Sequence, residues 1–187
     1  MADSATITGM SNVPVIRPAE VNDAEQIGLI HVRSWQSAYR GKIPQDHLDG
    51  LDPAERAGQW RRTLEIIDRS RAGILVADSC AGVVGFAGYG PSRDADADRG
   101  RTGQLATIYL LPLAWGTGTG RELMAAVVDG LAALGYAEAT LWVLDSNDRA
   151  RRFYAKAGWA EDGITRVDDS LGITLNEVRY RLRLRGR

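Results

Sequence analysis

Apolar and polar residues alternate along the chain in two different rhythms. Residues 13–17 read as a short strand closed by Pro18. From Asn22 or Asp23 onward, Ala24, Ile27, Ile30 (beside His31), Ser34 and Ala38 recur at helical spacing. This predicts a helix to about Arg40, stopped by Gly41. Asp52 followed by Pro53 marks a second helix start, with proline at its first position, running to about Arg69. Segments 73–78 and 81–89 predict a hairpin turned through 79–82, and 92–103 a polar loop. Residues 104–111 form an apolar strand broken by Pro112. A helix over 119–134 buries Leu123, Val127, Leu131 and Leu134 and ends at Gly135. A strand over 137–144 follows, then a helix capped by Ser146 or Asn147 that ends at Gly158, then strands 159–167 and 173–184. The order predicts an α/β protein: one mixed sheet of about seven strands and four helices, in a single domain over 13–187. Residues 1–12 are small and polar and are expected to form a disordered tail.

Composition narrows the functional classes. The chain has 187 residues, 44% hydrophobic and 25% charged, with a net charge of −1. That balance suits one globular core and provides no general field to attract nucleic acid or an anionic membrane. Cys80 is the only cysteine, so neither a disulfide within the chain nor a cysteine metal site can be built. The start lacks a signal-peptide pattern, and the longest apolar stretch, 105–115, is too short to span a bilayer. A cytoplasmic location is expected.

The most informative segment is Trp115-Gly116-Thr117-Gly118-Thr119-Gly120, between an apolar strand and an amphipathic helix. Glycines let the backbone turn sharply and approach a ligand closely. The first turn of a helix presents unpaired N–H groups and a positive dipole end, so the combination suits a phosphate. A nucleotide P-loop would need Gly-Lys-Ser/Thr here, but the helix begins Gly120-Arg121-Glu122. A dinucleotide loop would follow the first strand and place glycine where Arg121 stands.

Ile108-Tyr109-Leu110-Leu111-Pro112, Gly118-Thr119-Gly120, and the run Leu141–Leu144 with Asn147, Ala150, Arg151, Phe153, Tyr154, Gly158 and Trp159 together resemble the GNAT acetyltransferase superfamily. His31-Val32-Arg33-Ser34-Trp35, with Tyr39 and Gly41, resembles a common bacterial small-molecule branch. The resemblance implies the GNAT fold, with a mostly antiparallel sheet, and acetyl-CoA as co-substrate for N-acetylation of a small-molecule amine. It allows a homodimer and implies no nucleic-acid, membrane or metal partner. Two positions depart from the family pattern. Trp115 stands for the usual Gln/Arg, and Thr117 for a frequent arginine.

The resemblance also assigns roles. Tyr109, Leu110, Leu111, Gly116, Thr117, Gly118, Thr119, Gly120, Arg121 and Asn147 are expected to hold the cofactor. The N–H groups of Leu110 and Leu111 are the nearest donors to the thioester carbonyl. Tyr154 is the expected proton donor to the leaving sulfur. Trp35, Tyr39 and Gln104 are expected at the acceptor pocket. Gln104 stands where many members carry glutamate, and glutamine cannot act as a base, so His31, Asp145 and Glu177 remain candidates. Loss of acceptor chemistry would leave a second class, a non-catalytic acyl-CoA-binding regulatory domain. Asp94, Asp96 and Asp98 read as a solvated loop, because Gly100 and Leu105 break the calcium-loop pattern. Arg179, Arg181, Arg183 and Arg185 read as the exposed basic face of a terminal strand.

Overall fold

A computed structural model describes residues 14–98, 100–169 and 172–184. The expected tail, the start of the first strand at Val13, and Arg185 lie outside the described residues. The strands are β1 Val15–Pro18, β2 Gly73–Ser79, β3 Gly82–Pro91, β4 Thr102–Leu110, β5 Glu138–Leu144, β6 Ala160–Asp168 and β7 Leu175–Arg183. They form one sheet in the order β1-β2-β3-β4-β5-β7-β6. Neighbours run antiparallel except β4 and β5, which are parallel. The helices are α1 Ala24–Ala38, α2 Gln45–Asp49, α3 Pro53–Ile66, α4 Thr119–Ala133 and α5 Asp148–Lys156.

Side chains alternate across the sheet and build a core on each face. On one face Leu123, Met124, Val127 and Leu131 of α4 pack with Ala87, Leu105 and Leu141. On the other, Ile27 and Ile30 of α1 and Leu64 of α3 pack with Ile74, Val76 and Phe86. Gly28 lets α1 and α3 approach closely, since a Cβ there would lie 2.5 Å from the Ala57 nitrogen. No helix among the described residues is long and apolar enough to cross a membrane.

Several boundaries differ from the sequence expectation. β1 includes Pro18, paired with Leu75 at a sheet edge, where its missing N–H is tolerated. A 3-10 turn, Val21–Asp23, precedes α1. Asp23 folds back to accept the Glu20 N–H at 2.8 Å and the Arg17 guanidinium. Asp23 is the N-cap of α1, one of the two expected positions, but its side chain closes a reciprocal box with Glu20 around the 3-10 turn instead of bonding an α1 N–H. Asp52 caps α3 as expected, accepting the Ala54 N–H at 2.8 Å, but that helix ends at Ile66. The short α2 was not expected.

The largest revision concerns the polar loop and the terminal strand. Arg179 is 2% exposed. Its guanidinium lies 3.2 Å from Asp94, 2.7 Å from Asp96 and 2.8 Å from Asp162. Asp94 is buried too, and also accepts from Thr140 Oγ1 at 3.0 Å and Trp142 Nε1 at 2.8 Å. Asp94 from within the core and Asp96 from the surface thus pin the loop to β7 through the buried Arg179. Arg181 pairs with Glu138 and Asp162. The expectation of a solvated acidic loop fails at Asp94, and that of a free arginine face at Arg179 and Arg181, because each supplies the other's counter-charge or pairs with Glu138 and Asp162; Asp96, Asp98 and Arg183 are exposed as expected.

Candidate active site

β4 and β5 stay in register over only three pairs: Thr102 with Glu138, Gly103 with Ala139, and Gln104 with Thr140. Beyond Gln104 they part. The Leu111 N–H donates to the Val84 carbonyl at 2.8 Å. Leu110, one residue earlier, turns the other way, and its carbonyl accepts from Ser34 Oγ at 2.8 Å and Trp115 Nε1 at 3.0 Å. Antiparallel ladders alternate in this manner, so Ile108 and Leu110 aim main-chain groups at the gap while Tyr109 and Leu111 aim theirs at β3. The expected donor role of Leu111 is therefore corrected, since its N–H is already spent. Tyr109 contributes its side chain rather than its backbone.

The glycine loop lies at the helix end of this gap. Gly116 and Gly118 have φ values of 78° and 97°, a region that favours glycine. Gly118 is the N-cap of α4, and no side chain caps the helix. Among the described residues, no hydrogen bond takes up the N–H of Gly116, Gly118 or Gly120. Thr117 Oγ1 donates to the Ala114 carbonyl at 2.8 Å and lies 2.9 Å from Thr119 Oγ1. These threonines brace the loop from within. Across it, the Arg149 guanidinium lies 3.8 Å from the centre of the Trp115 ring, a cation–π contact.

A cavity of about 400 Å³ joins the loop to the far side of the parted strands. Of the residues expected from the sequence, Trp35, Tyr39, Gln104, Tyr109, Leu110, Gly116, Gly118, Gly120, Arg121, Asn147 and Tyr154 line it. Leu111, Thr117 and Thr119 do not. Among the further lining residues are Trp142 and Phe153, which lie within the motif run on β5 and α5, and Arg149 and Arg166, which nothing local in the sequence marks.

α5 presents its two key residues as its spacing requires. Asn147 caps the helix, its Oδ1 accepting the Ala150 N–H at 3.2 Å. Tyr154, two turns on, is buried, and burial followed by the proximity of Tyr109 raises its phenol well above the ordinary value. Tyr39 is likewise raised, by burial first and then by Tyr109, Tyr154 and Glu177. Gln104 Oε1 accepts the Arg93 N–H at 3.2 Å.

The three candidate bases separate clearly. His31 stacks on Tyr109 at 5.0 Å, and its Nδ1 accepts from Trp60 Nε1 at 3.2 Å. Burial, helped by the charge of Arg56, lowers its pKa to about 4. Asp145 is exposed, and its N–H is held by the Asn176 carbonyl. Of the three, only Glu177 lines the cavity.

The family model for the acetyltransferase (GNAT) family matches residues 31–159. The uncharacterized N-acetyltransferase YuaI of Bacillus subtilis is 32% identical over 166 residues, covering 87% of this chain and 89% of its own. Among solved structures, the fold is similar to PaiA N-acetyltransferase of Thermoplasma acidophilum, determined with coenzyme A. There the TM-score is 0.69 at 18% identity, over 90% of this chain and 98% of that one. YncA of Salmonella typhimurium, determined with acetyl-CoA, gives a TM-score of 0.69 at 21% identity, over 93% and 95%. With its parted central strands, its glycine-turned helix start and this family match across most of its length, the chain belongs to the GNAT family of acetyltransferases.

Proposed function

We propose that the protein transfers the acetyl group of acetyl-CoA to a primary amine of a small molecule, with both substrates bound together. One observation carries this reading. Gly116, Gly118 and Gly120, whose N–H groups have no hydrogen-bond partner among the described residues, line the same cavity as Tyr154. Such a loop suits a diphosphate, and the dipole of α4 adds to it. That PaiA and YncA were solved with coenzyme A and acetyl-CoA supports the same ligand class here.

Acetyl-CoA supplies an activated thioester; the chain supplies position and charge. Arg121 and Arg149 neutralise phosphate at the loop, so Arg149 stands in space for the arginine the loop lacks. Main-chain groups of Ile108 bond the extended arm of the cofactor in the gap. The side-chain amide of Asn147 donates to it, while its Oδ1 keeps the α5 cap. The Leu110 N–H faces the carbonyl oxygen, where negative charge develops. The Tyr154 hydroxyl gives its proton to the departing sulfur and regains one from the nitrogen as the amide forms; its raised pKa keeps the hydroxyl protonated at neutral pH.

Calorimetric titration with coenzyme A tests the reading directly. The protein is expected to bind it, and Gly118→Val, which cannot adopt a φ of 97° without strain, is expected to weaken binding by on the order of tenfold or more. Thiol release from acetyl-CoA across an amine panel then reports transfer. A folded protein that binds no coenzyme A would end the proposal.

A further inference from the structure

The acceptor end of the cavity is walled by aromatic rings, with one acidic and one basic side chain among them. Trp35 and Tyr39 come from α1, Tyr109 from β4 and Trp142 from β5. Glu177, on β7, pairs with Arg166, on β6, at 2.7 Å. The Arg166 guanidinium also lies over the Trp142 ring at 4.2 Å. The pair is unequal. The Glu177 side chain is 14% exposed and that of Arg166 is 40% exposed. A largely desolvated carboxylate requires a cation, whereas a guanidinium on an exposed strand is readily hydrated. Arg166 is therefore the replaceable member.

The other groups facing Glu177 do not supply that cation. Tyr39 and Tyr109 are phenols held neutral by burial. Arg179, two residues along β7, is committed to Asp94, Asp96 and Asp162. Arg56 of α3 acts at a distance on Tyr109 and His31.

We propose that Glu177 is the docking point for the acceptor's ammonium group, which displaces Arg166 and passes one proton to the carboxylate before its lone pair attacks the thioester, and that the acceptor is a monocationic primary amine on a flat or apolar body. This inference rests on the acetyltransferase reading above and deepens it. When the site is empty, Arg166 acts as an internal competitor for Glu177. The aromatic walls receive the body of the acceptor and reinforce the attraction for a cation. Anionic amines meet the same carboxylate and are disfavoured.

Because Arg166 competes with the acceptor, the two halves of the ion pair have opposite effects. With phenethylamine as acceptor, Glu177→Gln is expected to raise KM by on the order of tenfold or more. Arg166→Gln is expected to lower KM by a few-fold, because the competitor is gone. A purely structural ion pair predicts that both variants change KM in the same direction, and that result would overturn the assignment. Phenylalanine, which adds a carboxylate beside the amine, is expected to be the poorer acceptor. Preference for phenylalanine, lost in Arg166→Gln, would overturn the monocation class and indicate a zwitterion. Phenethylamine left unacetylated by a protein that binds coenzyme A would also overturn it. Absence of coenzyme A binding would instead strike the underlying acetyltransferase reading. Circular dichroism and thermal melts of both variants separate these effects from misfolding.

Discussion

His31 connects protonation to the strength of the core beneath the cavity. Its imidazole is mostly buried among Trp35, Trp60, Phe86 and Tyr109, and its Nδ1 is an acceptor for Trp60. Protonation removes that acceptor and places a charge under Tyr109. The folded pKa is about 4, against 6.5 for the free side chain. A depressed folded pKa means that the unfolded chain takes the proton first. The stabilisation is therefore complete above about pH 6.5 and is lost as pH falls toward 4. For one site with these two values, linkage gives a loss of about 2 kcal/mol between pH 7 and pH 5, and about 3 kcal/mol by pH 4. Urea unfolding of the wild type and of His31→Asn, whose amide oxygen still accepts from Trp60, measures this. The difference between the two curves cancels His47 and the carboxylates. It should shrink by about 2 kcal/mol from pH 7 to pH 5. A difference that stays flat with pH, or an imidazole resonance titrating near 6.5, would refute the argument.

Three further outcomes follow from the same geometry. Tyr154→Phe should lower kcat on the order of a hundredfold while leaving coenzyme A affinity within about twofold, read by thiol release and calorimetry. Arg149→Ala should weaken coenzyme A binding several-fold and flatten its salt dependence, because in the proposed function the charge that lies over Trp115 is set against the diphosphate. Asp94→Asn should cost about 1–3 kcal/mol in urea unfolding, because Asp96 and Asp162 still pair with Arg179 while the buried hydrogen bonds from Thr140 and Trp142 lose a charged acceptor. The indole N–H of Trp142, donated to Asp94, should shift in the NMR spectrum of that variant.

Sequence legibility followed the range of each interaction. The helix over 119–134 was read to within a residue because Gly118 and Gly135 punctuate it locally. The Asp52 cap and the hairpin over 73–91 were legible for the same reason. Arg179 and Asp94 are 85 residues apart, and each in isolation resembles a surface charge. The loop therefore passed as solvated, and the strand as free. Arg149 was missed because its partner, Trp115, lies on another element and was read only as a departure from the family loop. Leu111 was assigned a donor role because distance from Pro112 was considered without the direction in which a strand residue points. Asn147 and Tyr154 both line the cavity, an arrangement that helical spacing alone makes legible by placing them on one side.

The brief seam between β4 and β5 has a mechanical consequence. Among the described residues, three residue pairs form the ladder that joins a four-stranded panel to a three-stranded one. A molecule that fills the cleft above the seam and bonds both rims does the work of the rungs missing there. Ligand binding should then stiffen the whole sheet rather than one pocket, with amide exchange slowing at Ile108 and Leu110 and along the facing edge of β5. The melting temperature should climb with ligand concentration as RT ln(1 + [L]/Kd) requires.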